Sequence, residues 1–145
     1  MTARPSKLVL SVVWLDPDLQ EISIAASSAC FSGQVNLYAG FREVEDLAKR
    51  IEGFPVSSSD RREFTLGQNN LPGYGTASFL FQCADGTGHA VVRVELQVVP
   101  ESPTEAAESA VVLVAAVASD IDRFVQALRQ MSGADGASAV LQNAA

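Results

Sequence analysis

Apolar residues recur at every second position through most of this chain, and this alternation restricts the fold more than any other feature. In the segment from residue 89 to residue 99, Ala90, Val92 and Val94 alternate with polar or charged neighbours such as Arg93. A period of two places one face of a β-strand against a core and the other face in solvent. Similar patterns predict strands over residues 7–14, 21–27, 31–39, 63–67 and 77–85.

Three of the strand-like segments carry a more specific prediction. In the first strand the alternation puts Trp14 on the same inward face as the apolar residues Leu8, Leu10 and Val12. The unbroken apolar run at residues 109–118 is typical of a central strand that is covered on both faces. The short segment at residues 137–141 predicts an edge strand near the end of the chain.

Two segments have helical rather than strand periodicity. The first begins at Phe41 and ends near Gly53, which is placed as a C-cap, and Pro55 prevents its continuation. The second opens at Ser119 or Asp120 and ends near Gly133. Apolar residues at helical spacing line both segments: Val44, Leu47, Ala48 and Ile51 in the first, and Ile121, Phe124, Val125 and Leu128 in the second.

The order of these segments predicts an α+β domain with an antiparallel sheet of six to eight strands and two helices packed on it. Both halves of the chain run strand, turn, strand, strand, helix. This order is either a βββα pseudo-repeat or the common arrangement of antiparallel α+β domains. With 145 residues the chain fits a single domain spanning residues 1–145, and we expect flexible ends at residues 1–6 and 142–145.

Net charge restricts the classes of partner. The formal charge is −7, which disfavours binding to nucleic acid or to an anionic membrane and is compatible with a basic protein partner. No run of apolar residues is long enough to cross a membrane, and the N-terminal apolar run ends at Asp16 without a cleavage site for a secretory signal. We therefore expect a soluble, cytoplasmic protein.

The residue types that usually carry chemistry are sparse. Cys30 and Cys83 match no metal or redox spacing and lie in apolar strand patterns, where a cysteine acts as a small hydrophobe. His89 is the only histidine and is interpreted as a surface residue at a strand start. Asp16 and Asp18 lack the repeated oxygen ligands and the glycine of a calcium loop. We expect no catalytic residues, no metal and no cofactor.

The stretch NNLPGYGTAS, residues 69–78, has the glycine content of a phosphate-binding loop but not its context. Such a loop needs a Lys–Ser/Thr pair and a following helix, whereas the only lysines are Lys7 and Lys49 and a strand follows Gly75. Pro72 and Gly73 instead fit the central positions of a type II turn. Tyr74 at this turn is a candidate partner contact, although Tyr74, Tyr38 and Trp14 are too scattered to predict a stacking platform for nucleic acid.

Several motifs together are similar to a known family. They comprise the segment from Phe31 to Ala39, the helix end from Ile51 to Pro55, the turn and strand from Asp85 to Leu96, and the second helix with its Asp120, Phe124, Val125 and Leu128. This order resembles the small bacterial immunity proteins of the WapI-like kind, from about residue 8 to residue 141. The resemblance implies a protein that neutralises a partner toxin by direct binding, and it transfers no catalytic residues.

Three functions remain open at this stage. The first is a non-enzymatic acidic binding protein that covers a basic toxin domain, with candidate contacts at the turn acids Asp16, Asp18 and Asp85, which a pseudo-repeat would place at one end of the sheet, and at Tyr74. The second is a small-ligand carrier with a cavity between sheet and helices. The third is an enzyme that uses His89 or the carboxylates. The small residues that suggest the cavity are Gly33, Ala115, Ala116 and Ala118.

Overall fold

The computed structural model describes residues 5–67, 73–102 and 106–143. Its elements follow in chain order, with the helices at the same places in the two halves. They are β1 (Lys7–Leu15), β2 (Gln20–Ser27), β3 (Ser32–Ala39), α1 (Phe41–Ile51), β4 (Arg61–Leu66), β5 (Gly75–Cys83), β6 (His89–Val98), β7 (Glu108–Val117), α2 (Ala118–Met131) and β8 (Ser138–Gln142).

The eight strands form two antiparallel sheets of four. Sheet A has the order β3-β2-β1-β8, and sheet B has the order β4-β5-β6-β7. The α+β class, the two helices and the strand number are confirmed. The arrangement differs from the prediction in one respect, because the strands divide into two sheets whose inner faces pack together.

The last strand of each half lies in the sheet of the other half. β1, β2 and β3 lie in sheet A, and α1 then carries the chain across to β4 at the edge of sheet B. In the same way β5, β6 and β7 lie in sheet B, and α2 carries the chain back to β8 at the edge of sheet A. Each half is therefore a βββαβ unit, and the two units exchange their final strands.

One hydrophobic core fills the space between the sheets and under the helices. The inward residues of every strand except β4 include at least two apolar side chains that are almost fully buried, as the alternating pattern predicts. Both predicted helix stripes join this core, which also contains Phe54, Phe79, Phe81 and Met131.

The helix ends show why these segments form helices where they do. In α1 the Glu43 carboxylate accepts the backbone N–H of Gly40 at 2.6 Å, and in α2 the Asp120 carboxylate accepts that of Val117 at 3.0 Å. Both acids also lie where the positive end of the helix dipole favours them. Gly53 and Gly133 have φ of +75° and +76° just beyond the two helices, as predicted for C-terminal glycines.

The prediction that residues 109–118 form a central strand was wrong. The structure places β7 at the edge of sheet B, with only β6 paired along its length. Its inner residues Val112 and Val114 are buried, whereas the outer Val111 and Leu113 are 43% and 54% exposed. The run is apolar on both faces although only one face is covered, and apolar content alone therefore misidentified its position.

The glycines at residues 73 and 75 have backbone roles. Gly73 has φ of +80°, as required at the third position of a type II turn, while residues 69–72, including Pro72, lie outside the described residues. Gly75 begins β5 against β3, where an added Cβ would lie 2.7 Å from Cβ of Val35. The predicted flexible ends fall partly outside the described residues as well, at residues 1–4 and 144–145.

Neither described helix is long and apolar enough to cross a membrane.

Candidate functional site

A β-bulge in β1 turns Trp14 out of the core. The β1–β2 register shifts between Val12 and Trp14, so that Val12 pairs with Ile22 and Trp14 pairs with Glu21. A bulge inserts one extra residue and reverses the faces that follow it. Trp14 is therefore 46% exposed on the outer face of sheet A, and the prediction that it faces inward was wrong.

The bulge lies where β1 loses one of its two neighbours. Backbone hydrogen bonds join the N–H of Val12 to the carbonyl of Ala137 at 2.9 Å, and the N–H of Gly136 to the carbonyl of Val12 at 3.0 Å. These are the last contacts of β1 with the segment that leads into β8. Beyond Val12 only β2 holds the strand, and the backbone has room for an extra residue.

Trp14, Glu21 and Tyr38 form one row across the outer face of sheet A. Glu21 on β2 is paired with Trp14 on one side and with Tyr38 of β3 on the other. The rings of Trp14 and Tyr38 lean towards each other, with centroids 6.3 Å apart and planes at 79°. The Asn36 side chain donates a hydrogen bond of 2.9 Å to Oε2 of Glu21 and thereby holds the carboxylate within the row.

Tyr74 extends this row from the other sheet. It lies just before β5, where its carbonyl accepts the N–H of Val99 at 3.0 Å. Its ring centroid is 4.6 Å from that of Tyr38, and the two hydroxyls are 3.1 Å apart. Tyr74 is thus half-buried against Tyr38. We call Trp14, Glu21, Tyr38 and Tyr74 the aromatic surface.

The aromatic surface keeps its tyrosine hydroxyl neutral. The hydrogen bond with Tyr74, followed by burial and the nearby negative charge of Glu21, raises the pKa of Tyr38 to about 12. Each of these causes disfavours the phenolate. Below that pH the Tyr38 hydroxyl is a hydrogen-bond donor and adds no charge of its own.

Carboxylates lie around the aromatic surface. Asp16 and Asp18 follow Trp14 directly, in the β1–β2 turn, where Oδ1 of Asp16 accepts the backbone N–H groups of Asp18 and Leu19 at 2.8 and 2.9 Å. Oε1 of Glu101 lies so close to Gly73 that a Cβ added there would be 2.8 Å away. With Glu21 in the row, the surface is strongly acidic.

The second half of the chain provides an internal comparison. Tyr38 lies two residues before Gly40 at the start of α1, and Ala115 lies at the same distance before Val117 at the start of α2. The row that contains Ala115 consists of Gln82, Val91 and Ala115. The pairing of β5 with β6 has no register shift, and this half folds without a bulge or an aromatic row.

The two halves also agree in how the following unit contacts the third strand. Tyr74, just before β5, packs on Tyr38 of β3, and Ser6, just before β1, binds β7 through a hydrogen bond of 2.9 Å from the N–H of Ala115 to its Oγ. The shared fold therefore requires a contact at this place but not aromatic rings. The aromatic surface is an addition in the first half.

Asp85 lies far from this surface along the fold. It occupies the β5–β6 turn of sheet B, whereas Asp16 and Asp18 occupy a turn of sheet A, so these acids do not share one end of a single sheet. Oδ1 of Asp85 accepts the N–H and the hydroxyl of Thr87, both at 2.8 Å. These bonds, with those from His89, lower the pKa of Asp85 to about 2.

His89 is exposed, as expected, and its ring is tied to the same turn. Nδ1 of His89 lies 2.8 Å from Oδ2 of Asp85 and 3.1 Å from Oγ1 of Thr87. A hydrolytic triad also needs a nucleophile on the other ring nitrogen. In the described part of the chain no such contact to Nε2 is found, and the arrangement closes a hairpin turn.

The cysteines and the proposed cavity differ from expectation. Cys30 is exposed in the β2–β3 turn rather than buried in a strand, while Cys83 is partly buried at the end of β5. The four small residues do not line one space, because Ala115 and Ala116 face opposite sides of β7 and Gly33 packs against Leu96 of the other sheet.

Within residues 5–67, 73–102 and 106–143, no group of three His, Cys, Asp or Glu side chains is placed to hold a metal ion. No family model, curated protein or solved structure matches this chain.

Sequence reasoning named Tyr74, Asp16 and Asp18 and missed their neighbours. Trp14, Tyr38 and Tyr74 are far apart in sequence, and the prediction that they are scattered was wrong because strand pairing and the approach of β5 to β3 bring them together. One local signal existed. The single tryptophan of the chain stands two residues before a turn, where bulges and exposed aromatic side chains are common.

Proposed function

We propose that this chain is a non-enzymatic protein-binding protein and that it holds a basic protein on the aromatic surface. The observation that carries the proposal is the bulge that turns Trp14 outward in one half, while the other half folds without it. Burying a large apolar side chain contributes on the order of 2 kcal/mol, and exposing the only tryptophan forgoes much of that. A partner that covers Trp14 recovers it.

The composition of the aromatic surface fits protein recognition. Tryptophan and tyrosine are enriched at the centres of protein–protein interfaces, where they dominate the binding energy. Trp14 and Tyr38 lie at the centre of this surface, with Asp16 and Asp18 at its rim. The rings supply buried apolar area and the carboxylates select a positively charged partner.

Charge supports the choice of a basic partner. The net charge of −7 attracts a basic protein over a distance set by ionic strength and increases the rate of association. The same charge opposes nucleic acid and anionic lipid.

The most specific form of the proposal is a bacterial immunity protein that acts in the cytoplasm. Its partner is a basic toxin domain, such as a nuclease, whose active site is covered on binding. The resemblance to small immunity proteins and the acidic aromatic surface support this partner class.

A photo-crosslinking experiment in the source cells tests the proposal. A benzophenone amino acid replaces Val13, which is 48% exposed beside Trp14, and in a matched control it replaces Val111, which is 43% exposed on sheet B. We expect an adduct from position 13 that mass spectrometry identifies as a basic protein, and no such adduct from position 111.

The identified protein is then purified and its affinity measured by calorimetry. Trp14→Ala is expected to weaken binding by roughly thirtyfold, as for a hot-spot residue, whereas Val91→Ala in the corresponding row of sheet B leaves it unchanged. Equal crosslinking from position 111, or an affinity unchanged by Trp14→Ala, overturns the proposal.

A further inference from the structure

The aromatic surface has the chemistry of a cation site. Glu21 carries a full negative charge between two ring-bearing residues, and the face of an aromatic ring is itself electronegative. Trp14 leaves nearly half of its surface exposed beside this carboxylate. A cation placed on the indole therefore meets favourable electrostatics from the ring and from Glu21 at once.

We infer that the aromatic surface receives an arginine side chain of the bound protein, stacked on Trp14 and ion-paired with Glu21. The inference rests on the proposed function, since it names the group that the basic partner presents.

The geometry favours a guanidinium over an ammonium. Trp14 and Glu21 are directly opposite in register, a relation that places Cβ atoms about 4.5–5.5 Å apart. A flat guanidinium stacks on the indole and still directs N–H groups from its edge to a carboxylate beside the ring. A lysine ammonium is compact and more strongly hydrated, so it loses more hydration for the same contact.

The neighbours of Glu21 prepare it for this role. Asn36 donates to Oε2 of Glu21 and fixes its position before a partner arrives. Tyr38 stays neutral because its pKa is raised to about 12, so it neither competes for the cation nor adds charge that repels the carboxylate. A preorganised acceptor loses less side-chain entropy on binding.

The surrounding acids favour a protein-borne arginine over the free amino acid. Asp16 and Asp18 lie directly beyond Trp14, and Glu101 lies against Gly73 beside Tyr74. These carboxylates repel the α-carboxylate of free arginine, whereas a peptide-bonded arginine has no such group.

The first experiment titrates the intact chain with capped peptides that differ in one side chain: acetyl-Gly-Arg-Gly-amide, its lysine analogue and its uncharged citrulline analogue. The readout is the indole N–H signal in the NMR spectrum, which is unique because Trp14 is the only tryptophan. We expect a saturable shift with the arginine peptide, binding roughly fivefold weaker with lysine, and no saturable shift with citrulline. Free arginine is expected to bind more weakly than the arginine peptide.

Variants separate recognition from general charge effects. Glu21→Gln is expected to reduce affinity for the arginine peptide by at least about fivefold, and Asn36→Ala by a smaller factor. Asp122→Asn, which removes the same charge from an exposed position on α2, leaves the affinity unchanged. An unaltered near-ultraviolet circular dichroism spectrum confirms that each variant is folded. Equal binding of the citrulline peptide, or full retention by Glu21→Gln, overturns the inference.

The outcome is distinguishable from failure of the proposed function. If a partner requires Trp14 but neither its affinity nor peptide binding depends on Glu21, the arginine inference is wrong and the binding function stands. If the arginine peptide binds as expected but crosslinking identifies no partner at position 13, the guanidinium site stands and the proposed function is wrong.

Discussion

The hydroxyl of Tyr38 lies 3.1 Å from the hydroxyl of Tyr74, and this contact joins the edge strand of sheet A to the segment that enters sheet B. The rings also pack with centroids 4.6 Å apart. The aromatic surface is therefore built from both halves of the chain, and its shape depends on how the two sheets are held together.

The tyrosine pair gives a direct spectroscopic prediction. Tyr38 and Tyr74 are the only tyrosines, and Tyr38 should ionise at about pH 12 because its hydroxyl is hydrogen-bonded to Tyr74 and lies near Glu21. Tyr74→Phe removes the largest cause and should lower the pKa of Tyr38 towards its ordinary value of 10.0. Absorbance of the phenolate during alkaline titration measures both.

The same shift determines a dependence of stability on pH. Because the folded pKa of Tyr38 is raised, its contribution to the free energy of unfolding is fully present below pH 10.0 and is lost as the pH rises through about 12. Tyr38→Phe, which cannot ionise, should show a smaller loss of stability across this window. A Tyr38 that ionises near pH 10 in the wild-type chain contradicts the prediction.

Fluorescence of Trp14 should report the acidic surroundings of the aromatic surface. Trp14 is 46% exposed, so that quenchers in solution reach it. Caesium ions should quench it more strongly than iodide at low salt, because Asp16, Asp18 and Glu21 attract cations and repel anions. The ratio should fall as ionic strength increases, and Glu21→Gln should reduce it. Neutral acrylamide is the control, and equal quenching by both ions would falsify this electrostatic description.

The β5–β6 turn should lose stability in acid. Donors from Thr87 and His89 lower the pKa of Asp85 from 3.8 to about 2, so its stabilising contribution is present above pH 3.8 and is lost as the pH falls towards 2. Asp85→Asn should lower the free energy of unfolding at neutral pH, and the difference from wild type should shrink near pH 2. Urea denaturation measures it, with Asp18→Asn as a control that removes an equal charge. A carboxyl signal of Asp85 that titrates near pH 3.8 in NMR contradicts the assignment.

Gly75 should be the least replaceable glycine at the junction of the sheets. A Cβ there would lie 2.7 Å from Cβ of Val35 and 2.8 Å from the carbonyl oxygen of Gln97. Gly75→Ala should therefore cost about 1–3 kcal/mol of stability through overpacking. Gly86→Ala is the control, since nothing lies within 4 Å of its added Cβ, and it should change stability by less than about 0.5 kcal/mol. Equal midpoints of urea denaturation for the two variants would show that β3 yields at this contact.

Local signals in the sequence predicted the helices and strands, and long-range geometry decided the rest. The apolar stripe from Val44 to Ile51 and the glycine at residue 53 are sufficient to place α1, because helix spacing and capping act within a few residues. The position of β7 was not predictable in this way. Whether a strand is at an edge depends on what pairs with it, and Val111 is as apolar as Val112 although only the latter is buried.

The candidate site was only partly predictable for the same reason. Asp16, Asp18 and Tyr74 are turn residues, and turn chemistry is visible in a short window. The outward position of Trp14 depends on a register shift of one residue, which follows from where β1 stops pairing beyond Val12. No periodicity in β1 itself records that neighbour.

The exchange of β4 and β8 between the sheets has a consequence for how this protein comes apart. Removing β8 from β1 uncovers an edge of sheet A, and because α2 is the link to β8, it also disturbs the helix that follows β7. Neither half has a complete set of neighbours without the other, so we expect unfolding as one cooperative unit. Two fragments, divided between β4 and β5 and produced separately, should each be unfolded alone and should reconstitute the native fold when mixed.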